Sequence, residues 1–292
     1  MLEYSVKEVL IMNNIILDYS DYYEDKYEYS REGEDGNIEE KMYKKPNDIS
    51  KFFKKRGYCP FCGKEIPQVY NNTRHDTIGV ELWAFYGVWE CDSCGWWEYL
   101  YEFSEEKDYG VSRVSTKNWD TLRHGIIKKF NISDKEIPIN TLINELLKKQ
   151  DILYNIDPYK LEDIAQIVFS AYYDCEVKHV GKTGDGGKDL IIVQSDDPIL
   201  VQVKRRTNPE HIELVKGIRE FVGTMYIEGA NKGIYLSTAK EFSKGCIETA
   251  DQLINNRKFD SFSLVNFERF CNMLGVVKKD SFKPWAKLVE EK

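Results

Sequence analysis

The chain has 292 residues, of which 42% are apolar and 13% aromatic, a composition typical of a folded protein with one or more sizeable cores. No run of about 18 apolar residues occurs, so we expect no membrane-spanning helix. A formal net charge of -8 excludes a uniformly basic surface, and any binding of a polyanion must depend on a local cluster of lysines and arginines.

Residues 1–56 are predicted to form an N-terminal region with one candidate helix, over residues 4–17, and an acidic tract. Between Asp18 and Glu40 the sequence has ten acidic and two basic side chains, with tyrosines among them. A charge run of this kind favours a mobile surface loop. The tyrosines leave two alternatives open, a contact surface for another protein and a phosphate mimic that covers a basic site.

Residues 57–105 contain two CxxCG motifs, separated by 28 residues, and are predicted to form a zinc ribbon. Four thiolates complete a closed tetrahedral Zn²⁺ site, and the glycine after each pair permits a left-handed turn. Residues 80–89 and 96–103 are rich in aromatic and β-branched side chains and are predicted strands. The predicted structural zinc ligands are Cys59, Cys62, Cys91 and Cys94.

The alternative for these cysteines is a pair of disulfide bonds. The N-terminus has no positive region followed by a long apolar segment, so no secretory signal is visible. In an intracellular chain, paired CxxC motifs more often bind metal than form disulfides, and we therefore expect zinc and a cytoplasmic location. Cys175, Cys246 and Cys271 are predicted to be small buried apolar side chains.

Residues 106–150 are predicted to form a helical connector, with an amphipathic helix over residues 139–149. Residues 151–281 are predicted to form the main domain and residues 282–292 a tail. In the main domain, a helix over residues 159–173 begins after Pro158. Strands and helices then alternate, which predicts an α/β fold with a mixed central sheet flanked by helices. The predicted strands are 177–180, 190–193, 199–203, 233–237 and 263–265, and the later helices are 211–227 and 243–255.

Residues 183–206 combine a glycine-rich turn with two apolar runs that predict a β-hairpin. Side chains alternate along a strand, so Gln202 and Lys204 lie on the same face. If the hairpin folds about Asp197, Asp189 lies opposite Lys204 or Arg205. The aspartate, the amide and the lysine then converge at one end of the hairpin. Such a set suits metal-assisted hydrolysis of a phosphodiester bond.

This chemistry needs charge neutralisation and a source of hydroxide, and a bound Mg²⁺ or Mn²⁺ supplies both. Mg²⁺ prefers oxygen ligands, so Asp189, the amide oxygen of Gln202 and the backbone carbonyl of Val203 are the predicted ligands. Lys204 is predicted to orient the attacking water or to stabilise the transition state. On its own, Gly-Asp-Gly-Gly is more often a tight turn than a site, and a basic run is more often a solvated edge.

Together these segments resemble the Mrr-like branch of the PD-(D/E)xK restriction-endonuclease superfamily. The sequence has the TxDGGxD loop of that branch at residues 183–189 and its QxK motif at residues 202–204. Upstream, residues 153–175 resemble the opening helix, whose glutamate matches Glu162. Residues 215–225, 229–242 and 264–274 resemble later blocks, so that the likeness covers roughly residues 140–280. The resemblance implies a restriction-endonuclease-like fold and a metal-dependent endonuclease acting on DNA, with a role in restriction or antiviral defence.

By the same resemblance, Glu162 is expected to hold the metal through water or to support Lys204. His179 and His211 have no partner at a recognisable spacing and are expected to be structural or exposed. A homodimer, or a partner in a defence complex, is left open. So are two other functions, a nuclease subunit that is silent until a partner activates it and a nucleic-acid-binding module that does not cut. The basic residues predicted to contact DNA are Lys182, Lys188, Arg205 and Arg206.

Overall fold

The chain forms two compact units. The Cys₄ unit comprises Met1–Phe130 and Lys283–Lys292, and the α/β unit comprises Asn131–Phe282. None of the helices in the described residues is both long and apolar enough to span a membrane. The structure is a computed structural model that describes residues 14–34, 37–44, 56–76, 81–108, 113–180, 187–194, 197–277 and 283–290.

The Cys₄ unit is built on a six-stranded antiparallel sheet with the strand order β3-β2-β7-β6-β5-β4. One face of this sheet carries buried side chains such as Tyr86, Val88, Trp97 and Tyr99, as the alternation along β5 and β6 requires. The strands are β1 (Ile15–Asp18), β2 (Tyr22–Glu34), β3 (Asn37–Lys44), β4 (Gln68–Asp76), β5 (Glu81–Glu90), β6 (Trp97–Asp108), β7 (Arg113–Gly125) and β8 (Lys128–Asn131). Strands β1 and β8 form a separate pair, and a short helix, Ala286–Glu290, places Leu288 in the same core.

The acidic tract is a strand and not the surface loop that its composition predicts. Most of it forms β2, which pairs with β7 along its whole length. Alternate side chains differ in burial, and the guanidinium of Arg123 on β7 lies 2.6 Å from the Glu24 carboxylate. Pairing with a neighbouring strand therefore outweighs the charge of the isolated segment, a context dependence that is typical of β structure.

Two further secondary-structure predictions are wrong. The C-terminal part of the predicted helix 4–17 is strand β1, and residues 4–13 lie outside the described residues. The helix predicted at residues 139–149 forms at Ile139–Leu146, but the described part of the predicted connector, 106–150, also contains the long strand β7. The predicted domain limits after residues 56 and 105 fall within the Cys₄ unit, because β2 and β7 belong to the same sheet as the strands of the predicted ribbon.

The α/β unit has a five-stranded mixed sheet with the order β15-β13-β11-β10-β9. Strand β10 is antiparallel to both β9 and β11, whereas β11, β13 and β15 are parallel to one another. The strands are β9 (Val177–His179), β10 (Leu190–Ile192), β11 (Ile199–Lys204), β12 (Ile212–Glu213), β13 (Lys232–Ser237), β14 (Glu241–Phe242) and β15 (Ser261–Val265). The helices are α1 (Ile139–Leu146), α2 (Pro158–Tyr173), α3 (Val215–Glu228), α4 (Lys244–Asn255) and α5 (Phe267–Leu274), with a 3₁₀ helix at Gln150–Tyr154.

Helices cover this sheet as the predicted α/β fold requires. Helix α2 packs against β9, β10 and β11, while α3 and α4 pack around Tyr235 and Phe262. Helix α2 begins where predicted, because the Asp157 side chain accepts a hydrogen bond from the backbone N–H of Tyr159 and Pro158 occupies the first turn. Helix α3 begins later than predicted, because Ile212–Glu213 first forms a short strand that pairs with β14.

The β10–β11 hairpin forms, but in a different register from the predicted one. The paired residues are Leu190 with Val201, Ile191 with Leu200 and Ile192 with Ile199. The prediction that the hairpin folds about Asp197 and sets Asp189 opposite Lys204 or Arg205 is wrong, because this register brings Asp189 next to Gln202. Residues 199–203 are all buried, so β11 is a central strand that is covered on both faces.

Candidate active site

The Asp189 carboxylate lies at the start of β10, where two donors from β11 reach it. The backbone N–H of Val203 donates a hydrogen bond of 2.6 Å to Oδ2, and the side-chain amide of Gln202 donates to the same oxygen. Gln202 is only 5% exposed, so its amide has little freedom to leave the site. The hairpin register thus joins the aspartate to the QxK segment.

Gly187 approaches the same amide from the other side. Its φ of +87° is a left-handed conformation that side chains other than glycine rarely adopt. A Cβ atom at this position would lie 3.4 Å from Oε1 of Gln202 and 3.4 Å from Oγ1 of Thr224. The last glycine of the GDGG sequence therefore serves both the turn and the close packing against Gln202. Residues 181–186, which include the rest of the motif, lie outside the described residues.

A second carboxylate, that of Glu162 on α2, lies beside the first. Its Oε2 atom is 2.8 Å from Nε2 of His179, the last residue of β9. Burial raises the pKa of Glu162, the hydrogen bond from His179 opposes that rise, and the negative charge of Asp189 adds to it. This influence of Asp189 on Glu162 indicates that the two carboxylates are close enough to interact electrostatically.

His179 was expected to be structural or exposed, and it is an exposed residue at the end of β9; its contact with Glu162 was not predicted. In the sequence it is remote from Glu162 by 17 positions and has no motif spacing. The signal that identifies it is the pairing of β9 with β10, which sets His179 opposite Leu190, next to Asp189. His211, the other histidine considered, lies in the turn that precedes β12, where its N–H bonds to the carbonyl of Asn208.

Lys204 lies at the end of β11, two residues after Gln202 and on the same face of the strand. Its backbone carbonyl accepts a hydrogen bond of 3.0 Å from Thr238, and Ser237 is its neighbour on β13. Within the described ranges no carboxylate lies within ion-pair distance of its half-buried ammonium group. Its charge is therefore not neutralised by any of those carboxylates.

The basic residues predicted to contact DNA have partners inside the α/β unit. Lys188 forms an ion pair of 2.6 Å with Glu228, and Arg205 donates a hydrogen bond of 2.9 Å to the backbone carbonyl of Tyr154. Arg206 is bound through two of its nitrogens by the buried carboxylate of Glu213. Lys182 lies outside the described residues. Their contact with DNA stays a prediction.

The oxygen atoms at this site suit a hard divalent cation. Asp189 and Glu162 offer carboxylates, Gln202 an amide oxygen and Val203 a backbone carbonyl, the kinds of ligand that Mg²⁺ prefers. These residues therefore fit a bound Mg²⁺ or Mn²⁺.

The Cys₄ unit has a separate metal-binding cluster. The two CxxCG motifs contribute four cysteines, and their four sulfur atoms all lie within 4.8 Å of one another. A zinc tetrahedron with Zn–S bonds of about 2.3 Å needs sulfurs roughly 3.8 Å apart, which this cluster can adopt with little movement. Gly63 and Gly95 have φ values of +65° and +84°, as predicted for the knuckle turns. The cluster of Cys59, Cys62, Cys91 and Cys94 thus fits the expected zinc ribbon.

Comparison with known proteins agrees with the sequence resemblance. Residues 153–274 match the model of a restriction endonuclease family. No curated protein matches the chain. Among solved structures, the chain is similar to the restriction endonuclease FokI bound to DNA, with 15% identity and a TM-score of 0.32 over 51% of this chain and 30% of that one. The chain thus spans less than a third of that protein.

Proposed function

We propose that this protein is a metal-dependent endonuclease that hydrolyses phosphodiester bonds in DNA, because residues 153–274 match the model of a restriction endonuclease family. The observation that carries the proposal is the hydrogen bond from the Val203 backbone to Asp189, which joins the aspartate of the glycine-rich motif to the QxK segment. A nuclease needs the aspartate and the QxK segment close together, and here they come from opposite sides of the loop that joins β10 to β11. A role in restriction or antiviral defence is part of the proposal and follows from the family alone.

In this proposal Asp189, the Gln202 amide oxygen and the Val203 carbonyl hold the cation, and Glu162 contributes through a water molecule. When bound, the cation supplies charge neutralisation at the phosphate and acidifies a water molecule. Gln202 would turn its amide so that the oxygen, instead of the nitrogen, faces the Asp189 side. The rotated amide occupies nearly the same volume, because its oxygen and its NH₂ group differ little in size.

Lys204 acts on the phosphate in this proposal. Its ammonium group has no carboxylate partner within the described ranges, so its charge is available to an anionic group. A fixed positive charge that is already in place when negative charge develops on the phosphate lowers the barrier without reorganisation. Lys204 would orient the attacking water or stabilise the transition state.

A second candidate is a nuclease subunit that requires a partner for activity. The observation that favours it is the internal pairing of Lys188, Arg205 and Arg206, which leaves fewer cations for DNA phosphates. With a net charge of -8, the chain has little non-specific attraction for DNA. A partner that supplies basic surface would compensate for this. A binding module that does not cut is the third outcome, and the retained Asp189, Gln202 and Lys204 argue against it.

The test is cleavage of supercoiled plasmid, unmodified and methylated, with Mg²⁺ or Mn²⁺. The parent protein is compared with Asp189→Ala and with Asp251→Ala, an exposed aspartate on α4 that serves as the matched control. We expect cleavage by the parent and by the control but not by Asp189→Ala. Binding of DNA without cleavage by any of the three would favour the partner-activated subunit or the binding module. Equal cleavage by all three would remove Asp189 from the mechanism.

A further inference from the structure

The contact between His179 and Glu162 indicates a role for the histidine at the proposed metal site. We propose that His179 is a positioning residue that holds Glu162 beside Asp189 and thereby sets the affinity of the site for its divalent cation. The inference rests on the proposed nuclease function. It concerns a residue that does not belong to the D…QxK motif.

The backbone brings His179 to this place. Strand β9 lies at the edge of the five-stranded sheet, and its last residue, His179, pairs with Leu190. The next residue along the chain, Val180, donates its backbone N–H to the carbonyl of Asp189 at 2.9 Å. The backbones that carry the histidine and the aspartate are therefore tied together directly. The pairing of β9 with β10 fixes the backbone of His179, and from this position the imidazole contacts Glu162 on α2.

Glu162 needs a partner in order to stay where it is. Its side chain is 12% exposed, so it has lost most of the water that would otherwise solvate its charge. The nearby negative charge of Asp189 repels it, and without a cation between them this repulsion favours a rotamer that points away. The 2.8 Å contact with His179 opposes the repulsion and keeps the carboxylate in the site. In the neutral imidazole this contact requires the proton on Nε2, which then donates to the carboxylate.

The effect of His179 on the affinity for the cation is large because the proposed site has few anionic ligands. Gln202 and the Val203 carbonyl are neutral, so Asp189 and Glu162 supply the negative charge for the cation. Groups that orient the ligands of a metal typically change its affinity by 10–100-fold when they are removed. Loss of His179 should therefore weaken metal binding by roughly this factor, whereas the chemistry at saturating metal should change little.

The experiment compares three variants. His179→Ala removes the donor, and His179→Gln keeps a side-chain N–H that can reach Glu162. Lys178→Ala is the matched control, because Lys178 precedes the histidine on the same strand, is 56% exposed and makes only a 3.9 Å ion pair with Glu176 among the described residues. Binding of Mn²⁺ in the absence of DNA is measured by calorimetry, and the Mg²⁺ concentration for half-maximal cleavage is measured with plasmid.

We expect His179→Ala to bind Mn²⁺ about 10–100-fold more weakly, with cleavage restored at high Mg²⁺. His179→Gln should lie close to the parent, and Lys178→Ala should equal it. The same unfolding midpoint in all four proteins would exclude a merely structural effect. Parent-like Mn²⁺ affinity in His179→Ala overturns the inference and leaves the nuclease function standing, provided that Asp189→Ala is inactive. If the parent cleaves DNA but binds no Mn²⁺ in its absence, the inference fails and the nuclease function stands; if it neither binds Mn²⁺ nor cleaves DNA, both proposals fail.

Discussion

The backbone N–H of Val203 lies 2.6 Å from Oδ2 of Asp189, and this hydrogen bond joins two segments that are 14 residues apart in the chain. A hydrogen bond to an ionised acceptor is stronger than one between neutral groups, so it fixes the rotamer of the aspartate. The donor belongs to the backbone and is present whatever side chain follows Gln202. The position of the catalytic aspartate in our proposal thus depends on strand register more than on the identity of its neighbours.

We expect Lys204→Ala to retain DNA binding and to lose cleavage by about 10²–10³-fold, because it removes a preorganised charge at the phosphate. The measurement is single-turnover cleavage alongside a DNA-binding titration. Lys216→Ala is the control, since Lys216 on α3 has an 85% exposed side chain. Unchanged turnover in Lys204→Ala would remove the lysine from the mechanism.

We expect Glu162→Gln to stabilise the fold at neutral pH while it weakens cleavage. Burial raises the pKa of Glu162 above its ordinary value of 4.5, so the folded state holds this proton more tightly than the unfolded state. The wild-type protein therefore loses stability as the pH rises from 4.5 through the folded-state pKa, and the neutral amide avoids that loss. Urea unfolding at several pH values should show a difference that grows with pH and then levels off. A variant that is less stable at every pH would contradict this account.

We expect Arg206→Ala to lower the free energy of unfolding by about 3 kcal/mol, because it leaves the buried Glu213 carboxylate without its cation. This is the lower end of the range for buried pairs, since 33% of the Arg206 side chain is exposed. Chemical denaturation measures the change. The exposed pair of Lys240 and Glu210 offers the control, and Lys240→Ala should cost less than about 1 kcal/mol.

The same pair predicts an acid dependence of stability. Burial by itself would raise the pKa of Glu213, but hydrogen bonds from Arg206 and Ser237 hold it below its ordinary value of 4.5. The stabilisation is therefore present above pH 4.5 and is lost as the pH falls through the lower, folded-state pKa. A shallower acid decline in Arg206→Ala than in the parent is the expected result, and parallel declines would argue against it.

We expect about one zinc per chain, held by the four clustered thiols. Burial raises the pKa of Cys59 to about 12, so zinc must displace protons when it binds and its affinity must fall at low pH. Elemental analysis of the parent and of Cys91→Ser measures the content, and a chelator should lower the thermal stability of the Cys₄ unit. Zinc-free parent protein with unchanged stability would refute a structural role.

Local patterns in the sequence predict much of the α/β unit. The 3.6-residue spacing of apolar side chains and the Asp-Pro sequence at residues 157–158 identify helix α2 within a residue. The CxxCG spacing predicts the cysteine cluster, because each pair of ligands comes from one tight turn. The acidic strand β2 is the clearest failure. Its charge suggests a solvated loop, but it is a strand that pairs with β3 and with β7, and the β7 partners are 79 to 103 positions away.

The sequence by itself therefore determined the identity of the chemical groups, namely the D…QxK residues, the glycines beside them and the four thiols. It also determined the fold class. The chemical groups and the fold class can both be predicted because their patterns lie in residues that are close together in the chain. Tertiary structure alone decided the hairpin register, the contact between His179 and Glu162, and the pairing of Arg206 with Glu213. The partners in these contacts are fewer than 20 residues apart in the chain, but each contact depends on how whole strands and helices pack against one another, a property that no single segment carries.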